Sequence, residues 1–173
     1  MDSYSYTSHT YAELVDIYST GIYKFCRSLT FCKEDAEDLY QETFMRVLEQ
    51  MHKVNISINP KGFIYATTLY LWKSWKRKYA RRDRLAPTQP LNDSIMYGIN
   101  TEDSFMKKEE TRLIREQVNG LPDKFRIPVL LFYSAEMGIG DIAATLGLPS
   151  GTVKSRLHKA RKLIEKGLIN VGY

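Results

Sequence analysis

Carboxylates, two thiols and one Glu–His pair are the side chains of this 173-residue sequence that could make or break bonds. Asp35, Asp38, Glu42 and Glu49 recur at intervals of three, four and seven within KEDAEDLYQETFMRVLEQM (33–51), which strings acidic groups along one exposed side of a helix. Ala36, Tyr40, Phe44, Val47, Leu48 and Met51 trace the buried stripe of the same helix. General acid–base or metal catalysis needs carboxylates that converge in a sheltered pocket, and a convex helix face offers none. Glu49-x-x-His52 is half of a di-iron ligand set, but that set needs a second pair and two more glutamates, and the chain has three histidines in all. The only cysteines, Cys26 and Cys32, match no metal-hook spacing, and both are expected as buried free thiols. The sequence thus predicts no catalytic residue, no metal site and no cofactor. Its acidic face suits a basic protein partner.

The cations argue for a second kind of contact. Residues 72–84 (WKSWKRKYARRDR) carry seven Lys/Arg and one Asp, and residues 152–166 (TVKSRLHKARKLIEK) carry six Lys/Arg and one Glu. These islands are net +6 and +5 in a chain of net +5, so the remainder is net −6. Concentration of charge on particular faces, rather than the total, marks a polyanion binder. In the first island Tyr70, Trp72, Trp75 and Tyr79 interleave with Lys73, Lys76, Arg77, Lys78, Arg81 and Arg82. Aromatic faces stack on unpaired bases while cations follow the backbone, a mixture suited to melted single-stranded DNA. About half of these aromatics, including at least one tryptophan, are expected in the core.

The second island ends GIGDIAATLGLPSGTVKSRLHKARKLIEK (138–166), which reads as a helix, a short turn and a basic helix, hence a helix-turn-helix. Ile142, Ala143 and Leu146 supply an inward stripe, Gly147 is placed to adopt the left-handed conformation that ends the first helix, and Leu148 and Pro149 turn the chain. Val153, Leu157, Ala160 and Ile164 form the buried seam of the second helix. Its other faces present Lys154 with His158, and Ser155 with Lys159 and Lys162, Thr152 standing at the entering end and Arg156 beside them. In a major groove these seven side chains can reach base edges and phosphates.

Apolar residues spaced three and four apart dominate the sequence, so an all-α protein is expected. Residues 85–106 break the pattern with Pro87, Pro90, Gly98 and a polar run, a flexible linker between small helical domains over 8–84 and 107–173. Roughly 21 linker residues could span up to ~70 Å, or about 20 base pairs. Upstream of the helix-turn-helix, Leu121-Pro122-Asp123-Lys124 opens another helix with Phe125, Val129, Leu130 and Phe132 as core, and Pro128 should remove one hydrogen bond and bend it. The longest apolar run, Val129–Tyr133, is far short of a membrane span, and residues 1–10 lack the apolar core of a signal peptide, so a soluble, unexported protein without membrane contact of its own is expected.

The runs LPDKFRIPVLLFY, IGDIAATLG and LPSGTVKSRLHKARKLI closely resemble the fourth conserved domain of bacterial RNA polymerase sigma factors, which reads the minus-35 promoter element and touches the flap of the beta subunit. Gly138 and Asp141 stand where the family usually has Ser and Glu, which weakens the capping box. EDAEDLYQETFMRV resembles the sigma helix that docks on the clamp coiled coil of the largest polymerase subunit. By that match Asp38, Leu39, Gln41, Glu42, Phe44 and Arg46 are the implied contacts. GFIYATTLYLWKSWKRKYARRDR resembles the helix that recognises and opens the minus-10 element, implying Tyr70, Lys73, Ser74, Lys76, Arg77, Lys78 and Arg81 as DNA contacts, with the preceding loop (54–62) helping to hold a flipped base. Tyr70 replaces an Asn common in relatives, and Ser74 a polar or acidic residue.

With only a linker between its two conserved domains, the chain resembles the extracytoplasmic-function group. The resemblance implies a cytoplasmic, non-enzymatic initiation factor whose partners are core RNA polymerase and promoter DNA, and at family level an anti-sigma factor. Polymerase supplies all phosphoryl transfer. The alternative is an autonomous helix-turn-helix repressor or activator, which should dimerise and bind a palindrome unaided, although the sequence shows no heptad seam.

Overall fold

The computed structural model describes residues 10–30, 32–51, 59–85 and 105–172, with side chains left undescribed over 82–85 and 105–108. Every regular element among them is helical, and the chain divides into two compact units, Met1–Ile95 and Met96–Tyr173. The linker expected over 85–106 lies almost wholly outside the described residues, as do His52 and most of the loop over 54–62.

The first unit packs three helices, α1 (Tyr11–Leu29), α2 (Lys33–Gln50) and α3 (Pro60–Leu85), each against the other two. A reciprocal capping box starts α1: the Thr10 hydroxyl accepts from the Glu13 amide at 3.3 Å, and the Thr10 amide donates to the Glu13 carboxylate at 2.8 Å. Cys32 caps α2 through its sulfur, which accepts from the Asp35 amide at 3.3 Å. That duty keeps Cys32 half-exposed rather than buried as expected, whereas Cys26 is buried, and both are free thiols. Asn59 caps α3, accepting from the Gly62 amide at 2.8 Å, with Pro60 in the first turn, where its missing amide proton costs little.

The buried side of α2 differs from the expected one. Ala36, Phe44 and Val47 are buried as expected, but so are Leu39 and Thr43, while Leu48 is exposed and Tyr40 and Met51 are half-buried. Packing between two helices widens the buried arc beyond the single stripe of a one-sided helix. The polar members fit because each threonine hydroxyl bonds back to the carbonyl four residues earlier: Thr43 to Leu39, Thr67 to Phe63 and Thr68 to Ile64. The inner half of α3 contributes Ile64, Tyr65, Leu69, Leu71 and Trp72 to this core. From Lys73 to Arg81 α3 faces solvent, apart from the half-buried Ser74 and Trp75.

The second unit gathers α4 (Phe105–Asn119), α5 (Asp123–Val129), α6 (Ile139–Leu146) and α7 (Ser150–Asn170), with α7 packed against the other three. Pro128 sits buried in the last turn of α5, where it has no amide to offer the Lys124 carbonyl. Directly after it the helix widens into a π turn over Leu130–Ser134, closed by the Ala135 amide on the Leu130 carbonyl at 3.1 Å. Gly147 ends α6 at φ 63° and ψ 40°. The Leu148 amide returns to Ala143 at 2.9 Å and the Gly147 amide to Ala144 at 3.3 Å, the paired bonds of a Schellman cap. Gly138 begins α6 without a side-chain oxygen for its free amides.

Candidate nucleic-acid and protein interfaces

On α2, Asp38, Gln41 and Glu49 are exposed, and Arg46 is half-exposed, 3.3 Å from the Glu49 carboxylate. Leu39, at 0% exposure, and Phe44, at 5%, are core residues and cannot serve as surface contacts in this fold. Apolar surface is supplied instead by Met45, 64% exposed, and by Leu48. Sequence reasoning missed Met45 and assigned Leu48 to the core, because both neighbour the apolar stripe and only the rotation of α2 between two partners decides between them. Glu42 is half-buried: its Oε2 accepts from the indole Nε1 of Trp75 on α3 at 2.8 Å.

The four aromatics of α3 separate as expected. Trp72 is buried, its Nε1 donating to the Leu29 carbonyl at 2.9 Å, while Tyr70, 65% exposed, and Tyr79 stand in solvent and Trp75 is half-buried. The Lys76 ammonium lies 5.3 Å from the Trp72 ring centroid, a cation–π distance. Lys73, Arg77, Lys78 and Arg81 are exposed with no ion-pair partner among the described residues. Ser74 is half-buried, and the side chain of Arg82 is not described.

On α7, Val153, Leu157 and Ala160 are buried and Ile164 is half-buried, so the seam falls where the sequence puts it. Lys154, Ser155, His158, Lys159 and Lys162 are exposed, whereas Thr152 and Arg156 are half-buried. The Ser155 hydroxyl donates to the Thr152 carbonyl at 2.9 Å. Arg161, which sequence reasoning left out, is exposed and continues the row of Lys154 and His158. Its Nε donates to the hydroxyl of Tyr133, in the π turn, at 3.0 Å. The i, i+4, i+7 spacing could have flagged Arg161; its tyrosine partner, 28 residues away, could not be read from a helical wheel.

Among the described residues no three His, Cys, Asp or Glu side chains cluster as a metal site, and no helix is long and apolar enough to cross a membrane. Burial pushes the Cys26 thiol up to about 12, so it is protonated and inert at neutral pH. The exposed groups described on α2, α3 and α7 are thus cationic and polar donors, aromatic faces and an acidic–apolar patch.

Residues 14–82 match the family described as Sigma-70 region 2, and residues 111–164 match Sigma-70, region 4. The chain is 31% identical over 165 residues to the ECF RNA polymerase sigma factor SigW of Bacillus subtilis, covering 91% of this chain and 88% of that one. It is 28% identical to SigM of the same organism, covering 94% and 97%. Among solved structures, the sigma factor RpoE of Bartonella quintana, in complex with the anti-sigma factor NepR, superimposes with a TM-score of 0.80 over 91% of this chain and 96% of that one, at 20% identity.

Proposed function

Since the chain belongs to the extracytoplasmic-function RNA polymerase sigma-factor family and is a sigma factor, we propose that its two units divide the work of promoter recognition, the first docking on polymerase and opening the minus-10 region and the second reading the minus-35 duplex. The observation that carries this division is the presence of one solvent-facing cationic helix in each unit, the outer half of α3 in one and α7 in the other. The outer half of α3 adds aromatic side chains to its cations, which suits unpaired strands. The outer face of α7 is cationic and polar without an aromatic, which suits a groove.

The docking surface is the outer side of α2, with Asp38, Gln41 and Arg46 around the apolar Met45 and Leu48. A basic partner with an apolar strip matches it, and the clamp coiled coil of the largest polymerase subunit is the occupant we assign, with the beta flap meeting the second domain. The working boundaries are 8–84 and 107–173. Lys73, Lys76, Arg77, Lys78 and Arg81, with Tyr70 and Ser74, serve the minus-10 strand; Thr152, Lys154, Ser155, Arg156, His158, Lys159 and Lys162 serve the minus-35 element. Arg161 joins this last group as a backbone contact, because it lies, like Lys162, beyond the amino-terminal turns of α7 that reach base edges. Polymerase supplies the Mg²⁺ and the phosphoryl transfer, so the protein acts in the cytoplasm and without a cofactor. An anti-sigma protein, such as accompanies the Bartonella relative, is a further partner.

Reconstitution with core polymerase tests the reading. Promoter-selective initiation that needs both the protein and a minus-35/minus-10 promoter is expected. A symmetric dimer binding a palindrome tightly without polymerase would establish an autonomous regulator instead.

A further inference from the structure

Glu42 falls within the acidic series of α2, yet its carboxylate is not turned wholly to solvent. It is half-buried and accepts the Trp75 indole proton at 2.8 Å, a side-chain bond across 33 residues between α2 and α3. Partial burial shields this bond from competing water. The bond also fixes an orientation: an indole anchored through Nε1 cannot swing about its outer torsion, and its opposite edge is held away from α2.

Trp75 occupies a particular place on α3. Trp72, Trp75 and Tyr79 lie three and four residues apart on one side of the helix and pass from buried through half-buried to exposed. Trp72 is fixed by the Leu29 carbonyl. Trp75 is therefore the residue at which the aromatic row leaves the core, with exposed Lys78 and Tyr79 beside it, and Glu42 holds it there.

We propose that Glu42 is a positioning residue for strand opening: its carboxylate seats the Trp75 indole within the surface that α3 offers to unpaired DNA. This rests on the assignment of α3 to the minus-10 strand. The role needs an acceptor atom and no charge, which separates it from docking. Glu42→Gln keeps an oxygen that can accept from Nε1, Glu42→Ala removes it, and Trp75→Phe removes the donor while keeping an aromatic ring.

The test uses holoenzyme reconstituted from core polymerase and the full chain. Two affinities are measured by anisotropy for each variant: that of the protein for core polymerase, and that of the holoenzyme for a single-stranded oligonucleotide carrying the non-template minus-10 sequence. Glu42→Ala should weaken oligonucleotide binding about tenfold, within the range for one base–aromatic contact. Trp75→Phe should do the same, the double variant should be no weaker than either single one, and Glu42→Gln should restore binding to within about twofold of the parent. Holoenzyme is formed at saturating protein, so a change in core affinity does not enter the oligonucleotide reading, and retained core binding reports that the first unit is folded. Loss of oligonucleotide binding in Glu42→Gln equal to that in Glu42→Ala would overturn the proposal by making the charge, and not the acceptor atom, the source of the effect. Additive losses in the double variant would overturn it by uncoupling the pair. Arg77→Ala separates the premise from the proposal. If it leaves oligonucleotide binding intact, α3 is not the strand-binding helix and both fail. If it weakens binding while Glu42→Ala does not, only the proposal fails.

Discussion

Removing the guanidinium of Arg161 tests how the later turns of α7 hold DNA. Seven residues separate Arg161 from Lys154, which places it about 10 Å farther along the helix axis, away from the amino-terminal turns that reach base edges. Its Nε is engaged by the Tyr133 hydroxyl at 3.0 Å, so the terminal nitrogens remain for a phosphate. Loss of one phosphate contact should lower the slope of log affinity against log salt by about 0.9. Between 50 and 200 mM salt the deficit of Arg161→Ala relative to the parent should therefore narrow by about 3.5-fold. Tyr133→Phe keeps the charge and removes only the tether, so it should weaken binding by roughly 0.5–1.5 kcal/mol with the slope unchanged. The assay is anisotropy of holoenzyme on a promoter duplex across a salt series, repeated with single base changes in the minus-35 element. An unchanged slope in Arg161→Ala, or a loss confined to one base pair, would refute the backbone assignment.

Lys154→Ala and Lys159→Ala should each reduce minus-35-dependent transcription by roughly 1–3 kcal/mol if they touch a base edge, with the loss concentrated at one promoter position, and by less and uniformly if they touch phosphate; no loss in either would discard this face of α7. Gly147→Ala meets no atom within 4 Å, so its cost is that of holding a Cβ at φ 63°, about 1 kcal/mol, seen as a fall of about 4–8 °C in the melting of the second unit. Gly147→Asn should fall less, and equal losses would argue against a conformational origin. Burial raises Cys26 from 9.0 to about 12 and Tyr65 from 10.0 to about 12. The unfolded chain therefore releases these protons first, and stability is full below about pH 9 and declines as pH rises towards about 12. Urea midpoints across that range should fall, less steeply in Cys26→Ala and Tyr65→Phe, and a flat profile would contradict the burial argument.

The second half of the chain was the more legible in sequence. Val153, Leu157 and Ala160 fall on a seam set by helical period alone, and Gly147 stands where only a glycine terminates a helix cheaply, so local rules reach the answer. The first half resisted at α2, where Leu39 and Phe44 sit inside the motif that resembles a docking helix and yet are buried. A motif records which residues accompany one another; it does not separate those that hold the helix in place from those that face a partner. The Glu42–Trp75 and Arg161–Tyr133 bonds were illegible for a different reason: each joins residues 33 or 28 positions apart, a pairing fixed by tertiary packing. Pro128 was legible as a fault in a helix, but not the π turn that follows it.

That turn has a consequence for how this protein can change over evolutionary time. A π turn holds one residue more than the α-helical path it replaces, so whatever follows is rotated by about 100° relative to an uninterrupted helix. The bearing of the helix-turn-helix relative to α5, and the meeting of Tyr133 with Arg161, are thus matters of counting as much as of side-chain identity. Substitutions between Leu130 and Ser134 leave the count intact, whereas deletion of a single residue there would turn the reading helix away from its bearing without altering one DNA-facing side chain. Length, more than composition, is what descent must preserve in these five positions.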